Sequence, residues 1–387
     1  MIKPHTISQL QKLETPFYYY DLDMLRQTLN KVKAESEKYG FHVHYAVKAN
    51  ANDEVLKTIF SYGFGADCVS GNEISKVVDH GVSGSNIAFA GVGKTDKEIT
   101  TALNNNIFSF NCESLPELEV INEIAGKLEK TAPVAIRINP NVDPKTHKYI
   151  TTGLKENKFG INRWEFDKLS ALLKNLKNIK LTGIHFHIGS QITDISVFEK
   201  LSQKINTIST WFEDQGLKLE HINVGGGLGI DYENPEENPF SDFEAYFKAF
   251  NDHLKLKQGQ ELHVELGRSV VGQCGHLITK VLYVKEGLNT KFLIADAGMT
   301  ELIRPMLYQA EHKISNLSSS QPLQNYDVVG PICESTDIFA SDIELPESKR
   351  GDLLVIHSAG AYGEVMASSY NLRNLVKSFN SDQLTTL

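Results

Sequence analysis

The sequence predicts a (β/α)8 TIM-type barrel followed by a C-terminal β domain. Eight short apolar runs alternate with segments of helical spacing, and the pattern changes to strand-rich segments after about residue 270. The length of 387 residues also favours two hydrophobic cores. We expect the barrel to span residues 25–268 and the β domain to span residues 269–387, joined by residues 1–24.

The eight barrel strands are expected at the short apolar runs. In chain order these are VHYAVK (43–48), GADCVS (65–70), IAFAG (87–91), IFSFN (107–111), VAIRI (134–138), TGIHFHIG (182–189), HINVGGG (221–227) and LHVELG (262–267). Segments such as NDEVLKTIFSYG lie between them and repeat apolar residues at three and four positions, which is typical of helices. The barrel prediction is weakest at the long stretch between the fifth and sixth runs. The later runs KFLIADAGM, YDVVGPIC and GDLLVIHSAGAYG, separated by Gly, Pro and Asp, predict the β domain.

Composition argues against several classes of protein. A net charge of −9 argues against a general nucleic-acid surface. No apolar run approaches the roughly 18 residues of a membrane span, and the first residues lack the apolar segment of a signal peptide, so we expect a cytoplasmic protein. The four cysteines (Cys68, Cys112, Cys274 and Cys333) form no Cys-x-x-Cys pair, which predicts reduced thiols and neither a disulfide framework nor a zinc site.

Polar residues stand where the predicted strands end. Barrel enzymes place their active sites at the carboxyl ends of their strands. The residues there are Lys48, Asp67, Ser70, Asn111, Arg137, His187, Gly225, Gly226, Gly227 and Glu265. An arbitrary lysine at such a position is usually solvated, because lysine is rarely buried unless it is paired. A lysine, a histidine, a glycine-rich turn and a carboxylate at one barrel mouth therefore suggest a common ligand.

Pyridoxal 5'-phosphate is the cofactor that uses all of these groups. The glycines of NVGGGLGI let backbone amides approach a phosphate, and the ends of strands seven and eight often bind phosphate in barrels. The lysine amine condenses with the cofactor aldehyde. His187 can then stack on the ring, and Glu265 can keep the pyridine nitrogen protonated. His185 and His187 share a strand face and could bind a metal, but His221 and His263 lie nearer the opposite ends of their strands, so we expect no metal there.

From about residue 15 to 371 the chain resembles the fold-type III pyridoxal-phosphate decarboxylases, and among them the diaminopimelate decarboxylase branch. The matching motifs are YAVKAN, GADCVSGNE, NKFGI, GIHFHIGSQ, NVGGGLGI, ELGRS, RPMLYQAEH, GPICESTD and GAYGEVMASSYN. YAVKAN and HIGSQ are shared with sister decarboxylases, whereas CESTD and RPMLYQAEH resemble the diaminopimelate branch. The resemblance implies decarboxylation of meso-2,6-diaminopimelate to L-lysine and CO2. The chain departs from the usual pattern at Leu266, where a proline is common, and at Asn72, where a glycine is common.

The resemblance also implies roles for individual residues. Lys48 would bind the cofactor covalently, and His187 would stack on it. Ser190, Gly225, Gly226, Gly227 and Tyr362 would hold the phosphate, Glu265 the pyridine nitrogen, and Gly267 and Arg268 would lie beside the cofactor. Substrate would contact Arg268, Arg304, Tyr308, Glu334 and Tyr362, while Cys333 would help return a proton. Cys333 and Glu334 would reach the site from the partner subunit, which implies an active homodimer.

Substrate chemistry agrees with these implied roles. The far end of diaminopimelate carries a carboxylate, which Arg304 can bind through two hydrogen bonds, and an ammonium, which Glu334 can bind. Three alternatives stay open. They are a sister decarboxylase acting on ornithine, arginine or carboxynorspermidine, an amino-acid racemase, and a non-catalytic pyridoxal-phosphate carrier.

Overall fold

The predicted fold class is confirmed by a computed structural model, which describes residues 2, 4–142 and 158–384. Strands β2 to β9 form a closed parallel barrel, and the remaining strands form a separate eight-stranded sheet. The strands are β1 Phe17–Tyr20, β2 His42–Ala46, β3 Gly65–Cys68, β4 Ile87–Phe89, β5 Ser109–Cys112, β6 Ala132–Arg137, β7 Ile179–His185, β8 His221–Asn223, β9 Glu261–Leu266, β10 Gly275–Glu286, β11 Lys291–Ala295, β12 Ile314–Asn316, β13 Leu323–Val329, β14 Ile338–Pro346, β15 Leu353–Ile356 and β16 Lys377–Asn380. Each of the eight apolar runs in the barrel region therefore overlaps one barrel strand.

Most helices of the described ranges connect the barrel strands and cover the barrel, whereas those nearest the two ends of the chain and the one between β11 and β12 pack with the second sheet. The helices are α1 Pro4–Leu10, α2 Leu22–Glu37, α3 Asp53–Phe60, α4 Gly71–Asp79, α5 Asp96–Asn104, α6 Leu115–Lys127, α7 Phe166–Leu173, α8 Ser196–Asp214, α9 Phe243–His253, α10 Arg268–Val271, α11 Arg304–Tyr308 and α12 Ser381–Leu384. Their apolar faces are buried against the strands, as the spacing of three and four predicts. None of the helices in these ranges is long and apolar enough to cross a membrane.

Local sequence fixes where the helices begin beside the barrel mouth. The Ser70 hydroxyl accepts a hydrogen bond from the Glu73 amide and caps α4, and Thr95 with Glu98 forms a capping box on α5. Ser70 therefore has a structural role at its strand end. Part of the stretch between β6 and β7, including Asn157 of the NKFGI motif, lies outside the described residues.

The second sheet draws on both ends of the chain. Its main strand order is β12-β15-β10-β11-β13-β14, and β1 pairs antiparallel with β10 and parallel with β16. Residues 385–387 of the C-terminal tail and residues 1 and 3 lie outside the described ranges. Because α11 and the loops after β11 and β15 arise from this sheet, it brings Arg304 and Tyr362 to the barrel mouth.

Candidate active site

Lys48 is not a solvated strand-end lysine. It lies on the helical turn Val47–Ala49 directly after β2, and its Nζ forms an ion pair with the Asp67 carboxylate at the end of β3. Burial lowers the pKa of Lys48, but the negative charges of Asp67 and Glu265 outweigh burial and raise it. Burial likewise dominates at Asp67 and raises its pKa to about 7, against the effect of Lys48. The amine is held in a fixed position at the barrel mouth.

Glu265 lies at the carboxyl end of β9 and is held by side chains from three other barrel strands. Its Oε1 accepts hydrogen bonds from the amide groups of Asn111 at 3.0 Å and Asn223 at 2.8 Å, and its Oε2 accepts one from His185 Nε2 at 3.0 Å. Burial raises the pKa of Glu265, but His185 and the Lys48 charge more than offset it, so the pKa is lowered. A carboxylate can accept about four hydrogen bonds, so one position remains for a protonated ring nitrogen.

The glycine turn after β8 requires residues that lack a side chain. A Cβ on Gly225 would lie 2.2 Å from the Phe186 carbonyl oxygen, and a Cβ on Gly226 would lie 1.9 Å from the Glu265 carbonyl oxygen. Gly225 and Gly227 also adopt positive φ of 68° and 112°. The turn therefore packs tightly against β7 and β9 and presents main chain alone to the mouth of the barrel.

His187 and Ser190 follow β7 and face this turn. The Gly226 amide donates a hydrogen bond to His187 Nδ1 at 3.4 Å. Burial lowers the pKa of His187 well below its usual range, and the charges of Arg137 and Lys48 act in the same direction. His187 is therefore a neutral imidazole at neutral pH, which suits stacking on a cationic ring. Arg137 itself is buried and donates to Glu113 at 2.6 Å, a structural ion pair.

Arg268 joins the barrel to the second sheet. Its Nε and Nη2 donate to the Ser190 hydroxyl at 3.2 and 3.0 Å, and its guanidinium lies 5.1 Å from the Tyr362 ring centroid. Gly267 precedes it, and a Cβ there would contact Ala46 and Ala49 beside Lys48 at 3.1 and 3.0 Å. The Tyr362 amide donates to the Ala49 carbonyl at 2.8 Å. Gly267 and Tyr362 thus lie against the turn that carries Lys48, and Arg268 links Tyr362 to Ser190.

A second cation, Arg304, lies buried beside Arg268. Its Nη1 donates to the Tyr232 hydroxyl at 2.8 Å and to His312 Nε2 at 3.0 Å, and Arg268 Nη1 donates to the same hydroxyl at 2.6 Å. Burial raises the pKa of Tyr232, but the two guanidinium groups outweigh it and lower the pKa. Among the described residues Arg304 Nε is buried without a hydrogen-bond partner. Two cations and an unpaired donor form a site for an anionic group.

The structure does not bring two of the predicted residues, Cys333 and Glu334, into this cluster. Cys333 and Glu334 are exposed; the Cys333 amide donates to Asn371 at 3.1 Å, and Glu334 accepts from the Tyr370 hydroxyl at 2.5 Å. No hydrogen bond described within one chain joins them to Lys48 or Arg304. Tyr308 ends α11, four residues after Arg304, and is partly buried.

Several residues of the site were assigned no functional role from the sequence. Asp67 and Asn111 stand at strand ends, but the sequence gives no sign that they contact Lys48 and Glu265. Asn223 directly precedes the glycine turn, a position that could have identified it. Tyr232 lies in an irregular loop, and nothing in the sequence indicates that two arginines converge on its hydroxyl.

These residues fit pyridoxal 5'-phosphate. Asp67 Oδ1, Asn111 Oδ1 and His185 Nδ1 are buried polar atoms without a partner among the described residues, so the floor of the site is polar. The tight glycine turn and Arg268 suit a phosphate, Glu265 suits a pyridine nitrogen, and Lys48 suits an aldehyde. A parallel barrel with this arrangement at the carboxyl ends of its strands defines a pyridoxal-phosphate enzyme.

Comparison with known proteins agrees with this class. Residues 23–272 match the family described as pyridoxal-dependent decarboxylase, pyridoxal binding domain. Diaminopimelate decarboxylase of Bacteroides thetaiotaomicron is 55% identical over 98% of both chains, and that of Aquifex aeolicus is 41% identical over 94% of this chain and 86% of the relative. A crystal structure of diaminopimelate decarboxylase from Helicobacter pylori complexed with L-lysine superposes with a TM-score of 0.90 at 40% identity, covering 96% of this chain and 93% of that one. The chain belongs to the diaminopimelate decarboxylase family.

Proposed function

We propose that the chain decarboxylates meso-2,6-diaminopimelate to L-lysine and CO2 at the barrel mouth. The observation that carries this proposal is the buried Arg304, which shares the Tyr232 hydroxyl with Arg268 and has an unpaired Nε. A buried guanidinium with an unmade hydrogen bond favours a carboxylate ligand. Diaminopimelate still carries a carboxylate at its far end when the near end reacts.

Pyridoxal 5'-phosphate would be held by Lys48 at its aldehyde carbon and by Glu265 at its ring nitrogen. The phosphate would lie against Gly225–Gly227, Ser190 and Tyr362, with Gly267 and Arg268 beside it. When bound, the cofactor would supply an electrophilic carbon for the substrate amine and a ring that takes up the electron pair left on the substrate carbon when CO2 departs.

The side chains of this chain then have separable tasks. Glu265 holds a proton at the ring nitrogen, because Asn111, Asn223 and His185 keep the carboxylate ionised and oriented. Asp67 holds Lys48 Nζ at the edge of the site. His187 offers a neutral ring face for stacking. Residues that bind the far end of the substrate fix the orientation of the whole molecule. The bond to the reacting carboxylate is thereby held in the position from which it breaks.

Recognition of the far end of the substrate distinguishes the candidates. Arg304 would bind the distal carboxylate, Tyr308 would lie beside it, and Glu334 from the partner subunit would bind the distal ammonium. Ornithine lacks the distal carboxylate and would leave Arg304 buried and unpaired, which weakens its binding. Cys333, also from the partner subunit, would help return a proton to the reacting carbon. Cys333 and Glu334 are both exposed within one chain and lie outside the cluster around Lys48, which supports a role for them in the partner's site.

The substrate assignment is tested by CO2 release from the pyridoxal-phosphate-loaded protein. Meso-diaminopimelate, ornithine, arginine and carboxynorspermidine are compared at equal concentration. We expect release from diaminopimelate, with lysine as the product, and little from the others. Faster release from ornithine or arginine would overturn the role of Arg304 but leave those of Lys48 and Glu265 intact.

The shared site is tested by mixing two inactive variants. Lys48→Ala lacks the cofactor amine, and Glu334→Ala lacks the group proposed to come from the partner. If subunits exchange at random after dilution and reassociation, about half of the dimers are mixed and each regains one intact site, so activity recovers to about a quarter of wild type. Recovery is monitored alongside sedimentation velocity. A mixture that exchanges subunits and stays inactive would contradict the shared site.

A further inference from the structure

A group of potential metal ligands lies at the opposite end of the barrel from the pyridoxal-phosphate site. His42 is the first residue of β2, and Glu261 and His263 belong to the beginning of β9. One ligand atom from each of these residues lies within 4.8 Å of the others, and no second such group of three occurs in residues 2, 4–142 and 158–384. We call His42, Glu261 and His263 the seam cluster, because β2 and β9 are the strands whose pairing closes the barrel.

Strand register makes this arrangement a consequence of the fold. His42 and His263 are direct partners across the β2–β9 pair, and their rings stack with centroids 4.7 Å apart. Glu261 precedes His263 by two residues, so both side chains lie on the same face of β9. The Glu261 Oε2 lies 3.3 Å from His263 Nε2 and 3.9 Å from His42 Nε2.

Hydrogen bonds hold the His263 ring in one orientation. His44 Nε2 lies 2.8 Å from His263 Nδ1, and His44 Nδ1 lies 3.2 Å from the Asn86 carbonyl oxygen. His263 is 4% exposed. Because its Nδ1 faces His44, its Nε2 is the ring nitrogen on the side of Glu261.

A histidine that binds a metal through one ring nitrogen generally has its other ring nitrogen hydrogen-bonded to a neighbouring group, which orients the ring. In the seam cluster His263 Nδ1 has such a partner in His44, and His44 is bonded in turn to the Asn86 carbonyl oxygen.

We propose that the seam cluster binds a divalent transition-metal ion of the zinc class. Ligand bonds of about 2.0–2.1 Å in a tetrahedral site separate neighbouring ligand atoms by about 3.3 Å, which the Glu261–His263 pair already meets. The His42 ligand atom lies within 4.8 Å of the other two, so His42 has to move closer to both, and its half-exposed side chain has room to do so. Two imidazoles and one carboxylate are ligands suited to zinc, and solvent takes the fourth position.

The metal would join the first barrel strand to the last. Its site opens on a pocket of about 600 Å³ on the barrel surface, which gives the ion a route of entry. A ligand that binds only the folded state stabilises that state. The inference is independent of the proposed substrate, because the seam cluster contains no residue assigned to decarboxylation.

The test uses chelator-treated holoenzyme titrated with zinc sulfate by calorimetry, followed by thermal denaturation with and without zinc. We expect one zinc per chain and a higher Tm. His42→Ala and Glu261→Gln should each weaken binding by about 10-fold or more and remove the rise in Tm, since each deletes one of three ligands. Both side chains are half exposed, and circular dichroism with retained decarboxylation verifies that the variants fold.

His253→Ala is the matched control, because His253 forms an exposed pair with Glu199 at 3.8 Å that is not part of a three-ligand group. It should bind zinc like wild type. Cobalt(II) in place of zinc should give the visible absorption of a four-coordinate site in wild type and in His253→Ala alone. Absence of saturable binding, or equal affinity in wild type, His42→Ala and Glu261→Gln, would overturn the proposal.

Discussion

Replacement of Arg304 by glutamine probes how the far end of the substrate is recognised. Arg304 is 5% exposed, and glutamine keeps a polar side chain while it removes the charge. A carboxylate bound by two charged donors gains about 1.5–3 kcal/mol from each hydrogen bond, part of which offsets desolvation, so we expect a net loss of about 2–4 kcal/mol. At about 1.4 kcal/mol per factor of ten, kcat/KM for diaminopimelate should fall roughly 30- to 1,000-fold.

Two inhibitors make this prediction specific. Lysine retains one carboxylate of diaminopimelate, whereas cadaverine, which is 1,5-diaminopentane, retains none. Arg304→Gln should raise the inhibition constant of lysine by a factor similar to the loss in kcat/KM and change that of cadaverine by less than about threefold. Arg350→Gln, which alters an exposed arginine bonded to the Leu282 carbonyl, is the control. Equal weakening of lysine and cadaverine by Arg304→Gln would refute the assignment, since a general disturbance of the site would produce it.

Further expectations concern the cofactor end of the site and the buried histidines. Lys48→Ala should retain the fold by circular dichroism but lose turnover and the borohydride-reducible link to the cofactor; a reducible link elsewhere would contradict its role. Glu265→Gln should retain cofactor, measured by its absorbance, and lose about 10²–10⁴-fold in kcat because the ring nitrogen loses its proton. Tyr232→Phe should raise KM for diaminopimelate by about 10-fold or more, since two guanidinium groups lose a shared acceptor; an unchanged KM would refute the bridge. Burial lowers the pKa of His221 and His312 to about 3 and that of His357 to about 4, below the unfolded value of about 6.5. The unfolded chain then binds more protons below pH 6.5, so each should reduce the free energy of unfolding by up to about 1.4 kcal/mol per pH unit as the pH falls. Urea denaturation from pH 7 to 5 measures this loss of stability. His357→Asn should reduce the slope of the free energy of unfolding against pH, and an unchanged slope would contradict the contribution of His357.

The barrel could be predicted from sequence because its signals are local. Each strand is a short apolar run, and each intervening helix repeats apolar residues on one face. The strand ends also identified Lys48, Glu265 and the glycine turn as neighbours, since parallel barrel strands deliver their carboxyl ends to one mouth. Those residues lie together in the structure around the ion pair and the hydrogen bonds of Glu265.

The remaining contacts depend on distant packing that no local pattern encodes. Arg304 follows Tyr232 by 72 residues in the chain. The two side chains meet only because the second sheet lies against the barrel. The same holds for the seam cluster, which was invisible because His42 and Glu261 are adjacent only after the barrel closes. Cys333 and Glu334 stay predictions, because their proposed roles depend on a second chain.

The fate of meso-diaminopimelate on the pyridoxal-phosphate-loaded protein decides whether the site decarboxylates this substrate or isomerises it. The reaction is run in deuterated water while CO2, lysine and the stereochemistry of remaining substrate are measured together. We expect equal amounts of CO2 and lysine, with one deuterium on the carbon that lost the carboxylate, and no isomerised substrate. Isomerised diaminopimelate without CO2 would contradict it and identify the site as that of a racemase.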